Sequence, residues 1–502
     1  MIVRLALAFV FLVGLAVPAR ADDIAAAARG VVRVVTIAVV DDQVAGFGHG
    51  SGFAVAPNRI VTNAHVVELA ERYPDNVVVG IVPSEGSKSY QGRVVAYDAR
   101  RDLALIEITE ARLPPVALYT GPVAEGNAVI ALGYPGNVDL ATAQSAADYI
   151  RPLSPVRSQG VASGRRSLTG IEVLLHTASI ARGNSGGPLL DPCGRVIGVN
   201  SALTRADEGD STFGFAIADT ELMGFLRDAQ QPYVSAGGPC TSIEERLRED
   251  SAADARATED AAAARREAAG AAALKRQAAL DHARDEAERT RENVMALAGL
   301  LLVAGALGIG AAGLFESRGQ RRAAIWAVSG GGLGVLAAVV VFVARPSGEP
   351  ELPADTVAPT TMPIRDAAIG RLVCTLQPER SRVTMSSTAE VTLEWGRAGC
   401  MNGTQQFAEG DARWERIAVP DDEQTVSVQR FDPLTRTYAD TRYFLSAAGM
   451  AAARAARGDK PVNGCSAADA VQDALARQQA AIRATLPPLP NEKLVYSCRK
   501  AG

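Results

Sequence analysis

Residues 181–190 read ARGNSGGPLL: three glycines around one serine, then a proline and an apolar pair. Glycine adopts backbone conformations closed to other residues and lets the main chain approach a ligand closely. A serine on such a turn is lifted out of any packed face and exposed. That suits a nucleophile, and it equally suits an ordinary turn ahead of a strand. The rest of the chain has to decide between the two.

Working outward, residues 30–228 hold short β-type runs at 31–35, 76–82, 93–97, 103–108, 127–132 and 195–200, separated by Gly, Pro, Asn and Asp. This spacing predicts an all-β sandwich or barrel without helix–strand alternation. A serine hydroxyl is a poor nucleophile at neutral pH; it needs a base in contact, and the base needs an orienting carboxylate. Only four histidines exist: His49, His65, His176 and His282. His282 lies in a charged Ala-rich run, and His49 (GFGHGSGF) and His176 (VLLHTAS) read as structural. His65, in IVTNAHVV, closes an apolar strand and opens a short helical turn, which fixes its ring at an edge. Asp102, in ARRDLALIEI, precedes an apolar strand and reads either as the partner carboxylate or as a strand-start turn residue.

The order His65, Asp102, Ser185, with spacings of 37 and 83, is what makes the pattern specific. TNAHVV, DLALIEI and GNSGGPLL resemble the three catalytic segments of chymotrypsin-fold serine proteases, and most of all the HtrA/Deg type. GSGFAV, ALGYPG, GRVIGVNSA and FGFAIA extend the likeness over roughly residues 30–228. The resemblance implies an all-β double β-barrel (chymotrypsin-like) domain with the triad in the cleft between two six-stranded barrels. It implies that His65 takes the proton of Ser185, that Asp102 holds the imidazole tautomer, and that the Gly183 and Ser185 N–H groups form an oxyanion hole. Ser179, six residues before the nucleophile, stands where trypsin-like enzymes carry an acid. With Ile180, Ala202 and Phe215 it implies a shallow apolar pocket for small aliphatic residues. Asn200-Ser201-Ala202 is expected to pair with an extended substrate as an added strand. Asn184 replaces the aspartate that pairs with a new N-terminus in digestive proteases, so gating is expected from loop rearrangement, with residues 138–157 as the extra loop. No PDZ domain is recognisable.

The flanks predict a membrane protein. Residues 1–21 have the positive, apolar and small-x-small regions of a signal peptide, which leaves 22–240 as the protease domain. Residues 241–294 are a charged Ala-rich stretch without interior proline, read as a helical stalk roughly 80 Å long. Residues 295–315 and 323–344 are uncharged and long enough to span a bilayer. The arginine-rich loop 316–322 between them is expected on the cytoplasmic side, which leaves both flanking domains on the opposite side. Gly330 and Gly334 are candidates for close packing of the two spans. Residues 345–363 read as a Pro-rich linker, and 364–502 as a small disulfide-bonded α+β domain. All six cysteines lie beyond residue 190, consistent with an exported chain. Cys193 and Cys240 form one candidate pair; Cys374, Cys400, Cys465 and Cys498 allow three connectivities.

Net charge is −5, which gives no reason to expect a nucleic-acid partner. The reading calls for no cofactor and no metal. Its partners are protein or peptide substrates, a membrane, a second copy joined through the helical stretch, and an unknown ligand of residues 364–502. Two functions compete: a membrane-anchored serine endopeptidase of the cell envelope, and a sensor or scaffold acting through its C-terminal domain with minor or gated proteolysis.

Overall fold

A computed structural model describes residues 22–41, 43–204, 212–345, 368–409, 413–458, 464–466 and 468–501. The expected signal peptide, and residues 346–363 of the expected linker, lie outside these. The chain divides into two compact units, residues 1–256 with 364–502, and residues 257–363.

In the first unit, β1 (Val31–Val40), β2 (Gln43–Ala56), β3 (Arg59–Thr62), β4 (Val77–Pro83), β5 (Tyr90–Asp98) and β6 (Leu103–Ile108) close a barrel in the order β1-β2-β3-β6-β5-β4. Its β-branched runs fill the interior with Val32, Val34, Ile60, Ile81 and Ile106, all fully buried. A second barrel follows. β7 is Leu118–Tyr119, β8 Ala128–Gly133, β9 Val156–Leu168, β10 Ile171–His176, β11 Pro188–Leu190, β12 Val196–Leu203, β13 Gly214–Ala218 and β14 Ser235–Ala236. The order β11-β8-β9-β10-β13-β12 closes through the β11–β12 pairing, with β7 and β14 added beside β12. An apolar seam including Val31, Phe53, Leu103, Leu118, Leu190 and Val199 joins the two barrels. The double β-barrel expected from the sequence is therefore present, and the seam fixes one barrel against the other.

Beyond it, residues 370–500 form an antiparallel sheet with helices Ala447–Arg457 and Asp469–Arg483. Its strands are β15 (Gly370–Leu376), β16 (Val391–Trp395), β17 (Cys400–Met401), β18 (Gln405–Gln406), β19 (Ala408–Glu409), β20 (Trp414–Ala418), β21 (Thr425–Asp432), β22 (Thr437–Phe444) and β23 (Glu492–Lys500). Trp395, Phe407 and Phe431 anchor one cluster; Val426, Met450 and Ile482 hold the helices. Disulfides pair Cys193 with Cys240, Cys374 with Cys498 and Cys400 with Cys465, which resolves the connectivity left open by the sequence. This domain packs on the first barrel pair: Arg382, 6% exposed, pairs with Asp23 at 2.6 Å, and the Asn491 amide donates to Asp23 at 3.0 Å.

Helix Ile243–Ser317 runs unbroken for 75 residues and helix Arg321–Val343 for 23; both contain stretches long and apolar enough to cross a membrane. Within the second unit the glycines that let them approach are not the pair expected. A Cβ on Gly330 would meet nothing within 4 Å, whereas one on Gly331 would lie 2.6 Å from the Gly305 carbonyl and one on Gly334 3.2 Å from Gly305 Cα. Gly331 and Gly334, three residues apart, share the helix face that meets Gly305.

Candidate active site

His65 opens helix Ala64–Arg72, directly after the buried end of β3 and Asn63. Asp102 sits in the turn entering β6, in a left-handed conformation with φ 52°. Aspartate tolerates that region better than bulkier residues do. The Asn63 amide holds the turn by donating to the Asp102 carbonyl at 2.8 Å. β3 and β6 are neighbours, so the side chains meet. His65 Nδ1 lies 2.9 and 3.0 Å from the two Asp102 oxygens, and the His65 backbone N–H also donates to Asp102 at 3.0 Å. Ser201 Oγ donates to the same carboxylate at 2.7 Å. Burial opposes ionisation of Asp102; the hydrogen bonds from His65, the imidazole charge and Ser201 outweigh it and hold the carboxyl below the usual range.

Ser185 arrives from the second barrel, on the loop before β11. Its hydroxyl donates to the Ser201 carbonyl at 3.0 Å; among the described residues no hydrogen bond joins it to His65. Two glycines of the opening stretch have positive φ, 98° at Gly183 and 86° at Gly186. A Cβ on Gly183 would fall 2.3 Å from the Tyr134 carbonyl, and one on Gly186 2.2 Å from the Ser51 carbonyl. Both positions therefore exclude any side chain by conformation and by contact. Among the described residues neither the Gly183 nor the Ser185 N–H finds an acceptor in the protein.

Ser51 and Tyr134 complete the loop's support, and the sequence reading gave neither a role. Fully buried Ser51 donates its hydroxyl to the Gly183 carbonyl at 2.7 Å and accepts the Tyr134 N–H at 2.9 Å; its own N–H donates to the Ser185 carbonyl at 2.8 Å. The one available signal was its position in GSGFAV. His49 Nε2 stands 3.3 Å from the Tyr134 carbonyl and 3.2 Å from Asp139, whose other oxygen binds buried Arg33 at 2.7 Å. Burial lowers the His49 pKa, against the pull of Asp139. The loop 138–157 contributes this Asp139, on helix Gly136–Thr142.

The other predicted residues are spread around the cleft. Ser179 is exposed and Ile180 half-buried; Ala202 is exposed and pairs across strands with half-buried Phe215. Asn200 is fully buried: its amide donates to the Pro188 carbonyl, and its main chain bonds Gly186 and Gly187. Its side chain thus holds the serine loop from behind and does not face the cleft.

Residues 50–199 match the family model described as a trypsin-like peptidase domain. The serine protease Rv3671c of Mycobacterium tuberculosis is 31% identical over 194 residues, 38% of this chain and 45% of that protein. The magnetosome formation protease MamE of Magnetospirillum gryphiswaldense is 31% identical over 198 residues, 37% of this chain and 23% of that one. A probable periplasmic serine endoprotease, DegP-like, of Chlamydia pneumoniae is 34% identical over 192 residues, 36% and 35% of the two chains. The chain spans less than half the length of these relatives. It carries a trypsin-like peptidase domain on a double β-barrel, and the resemblance to HtrA/Deg-type proteases noted in its sequence extends to relatives named as serine proteases.

Proposed function

We propose that the chain is a serine endopeptidase held at a membrane by its two apolar helices, acting on exported proteins in the cell envelope. The single observation that carries this is the convergence of His65, Asp102 and Ser185 from the two barrels, beside two unoccupied backbone N–H donors. In the mechanism, Ser185 Oγ attacks the scissile carbonyl and His65 Nε2 takes its proton. The tetrahedral oxyanion rests on Gly183 N–H and Ser185 N–H. His65 then protonates the leaving amine, and water attacking the acyl-enzyme repeats the cycle. Asp102, ionised below its usual range, keeps the Nδ1 proton in place and balances the imidazolium. Specificity for small aliphatic side chains is part of this reading: none of Ser179, Ile180, Ala202 and Phe215 carries a charge. The chain runs from a signal peptide (1–21) through the protease domain (22–240), stalk (241–294), hairpin (295–344) and linker (345–363) to the C-terminal domain (364–502). The protease and C-terminal domains then face the non-cytoplasmic side of a bacterial inner membrane.

The bond from Ser185 to the Ser201 carbonyl favours a second reading of the same site, gated proteolysis, in which attack requires the hydroxyl to turn from Ser201 to His65. The test is casein hydrolysis and fluorophosphonate labelling by the full chain in nanodiscs, wild type beside Ser185→Ala. Cleavage and labelling lost in the variant support the peptidase. Labelling without cleavage supports gating, and absence of both in the wild type removes the enzymatic reading.

A further inference from the structure

A sizeable cavity lies away from the triad, where the C-terminal domain meets the protease barrels. It is a cleft of about 650 Å³, within the range of small-molecule sites. The protease side supplies Arg29, at the end of helix Asp23–Ala28, and Leu113; the C-terminal side supplies Arg416 on β20, Val419 and Phe444.

The cations of this cleft are undercompensated. Arg29 and Arg416 are both half-buried, and among the described residues neither has a carboxylate within ion-pair distance. Arg29 Nη1 reaches only the Ala25 carbonyl, at 3.4 Å, and its buried Nε has no acceptor; Arg416 Nη1 reaches the Gln406 carbonyl at 3.1 Å. Burial lowers the pKa of both guanidinium groups. Only Glu85 offsets this at Arg29, and its carboxylate accepts the Ala447 N–H at 3.3 Å. Two other arginines on the lining carry carboxylate partners: Arg442 pairs with Asp440 at 2.9 Å and Arg457 with Asp421, although the buried Nε of Arg457 has no acceptor. Asp422 and Glu423 also border the cleft, but both are exposed at its mouth. The buried amide oxygens of Gln424 and Gln429, also on the lining, have no donor. Charges drawn partly out of water without a counter-charge are costly, so two half-buried guanidinium groups lining one cleft with apolar walls suit an oxyanion with an apolar body.

We propose that this cleft binds a small amphiphilic anion, its carboxylate or phosphate held between Arg29 and Arg416 and its apolar part against Leu113, Val419 and Phe444. Because one arginine comes from each domain, the bound anion fastens the C-terminal domain to the protease. The site is independent of the triad and stands whether or not the chain cleaves peptides.

The test is equilibrium dialysis of the full chain in nanodiscs with labelled 4-phenylbutyrate, beside 4-phenylbutyl phosphate, 4-phenylbutanol and inorganic phosphate. Saturable binding of either amphiphilic anion is expected, weakened roughly tenfold or more in Arg29→Gln and in Arg416→Gln. The tighter of the two identifies a carboxylate or a phosphate head as the natural one. Binding of 4-phenylbutanol as tight as the anions, or of inorganic phosphate as tight as the amphiphiles, overturns the proposal. So does binding unchanged in both variants, which is partition into the bilayer. Should a glutamine variant fail to fold, Arg29→Lys and Arg416→Lys carry the test. Loss of the planar fork then weakens binding severalfold, and unchanged affinity overturns the site.

Discussion

Ser201 touches two members of the triad at once: its hydroxyl donates to Asp102 at 2.7 Å, and its carbonyl accepts from Ser185 at 3.0 Å. Removing the hydroxyl separates these roles, because the carbonyl stays. Ser201→Ala deletes one charge-assisted bond, typically about 1.5–3 kcal/mol. The Asp102 carboxyl should move up toward its ordinary range, and kcat/KM should fall about tenfold to a hundredfold. An NMR titration of the Asp102 carboxyl checks it: its midpoint moves upward in Ser201→Ala, whereas a merely structural loss lowers kcat/KM without moving that midpoint.

Gly183 gives the sharpest test of the oxyanion reading. Its φ of 98° and the Tyr134 carbonyl 2.3 Å from any added Cβ leave no room for alanine without displacing the loop. Gly183→Ala should lower kcat by about 10²–10³, the usual cost of one oxyanion donor, with KM little changed. Fluorophosphonate labelling slows with it, since its transition state uses the same donors. Equal effects on kcat and KM would place Gly183 in substrate binding instead.

Much of this site was legible in sequence because its chemistry needs rare residue types. Four histidines, of which His65 alone stood at a strand–helix junction, left few constellations, and glycines beside Ser185 announced an unusual backbone. Ser51, Tyr134 and Asn63 were not legible. They act through main-chain groups, and a serine that bonds the Gly183 carbonyl leaves no spacing rule behind. His49 was read as structural, and nothing local to it announced its contact with Asp139, 90 residues away. The burial of Asn200 was hidden for the opposite reason. Strand position identified its segment, but burial depends on which neighbour covers it, and Pro188 and the two glycines do. The interdomain cleft depends on contacts between segments hundreds of residues apart, which no local pattern carries.

Asp139 joins the 138–157 loop to the site. It takes Arg33 at 2.7 Å and His49 at 3.2 Å, and Arg33 is 2% exposed. Asp139→Asn leaves a buried guanidinium without its counter-charge, a change that costs about 3–5 kcal/mol in comparable buried pairs. Urea unfolding should show a loss of that order. Arg33→Met with Asp139→Leu, which removes both charges, should recover most of it. Failure of the double variant to recover would mean that the pair orders the loop through its hydrogen bonds to the Tyr149 carbonyl rather than by charge balance.

His176 sets a pH dependence of stability distinct from that of activity. Fully buried on β10, with its ring against Gly214, it is pushed down to about 4 from 6.5, chiefly by burial. The folded value lies below the unfolded one, so below pH 6.5 the unfolded chain binds the proton first. Stability from this group is complete above about 6.5 and is lost progressively as pH falls toward 4. The 2.5-unit difference corresponds to about 3 kcal/mol at 1.36 kcal/mol per unit. Denaturant melts of the wild type at pH 7.5, 6, 5 and 4 should decline across that window. In His176→Gln, which cannot titrate, the decline should be shallower by about that amount, although its stability at pH 7.5 falls for lost packing. An unchanged slope would assign the acid sensitivity to other groups and leave His176 as packing alone.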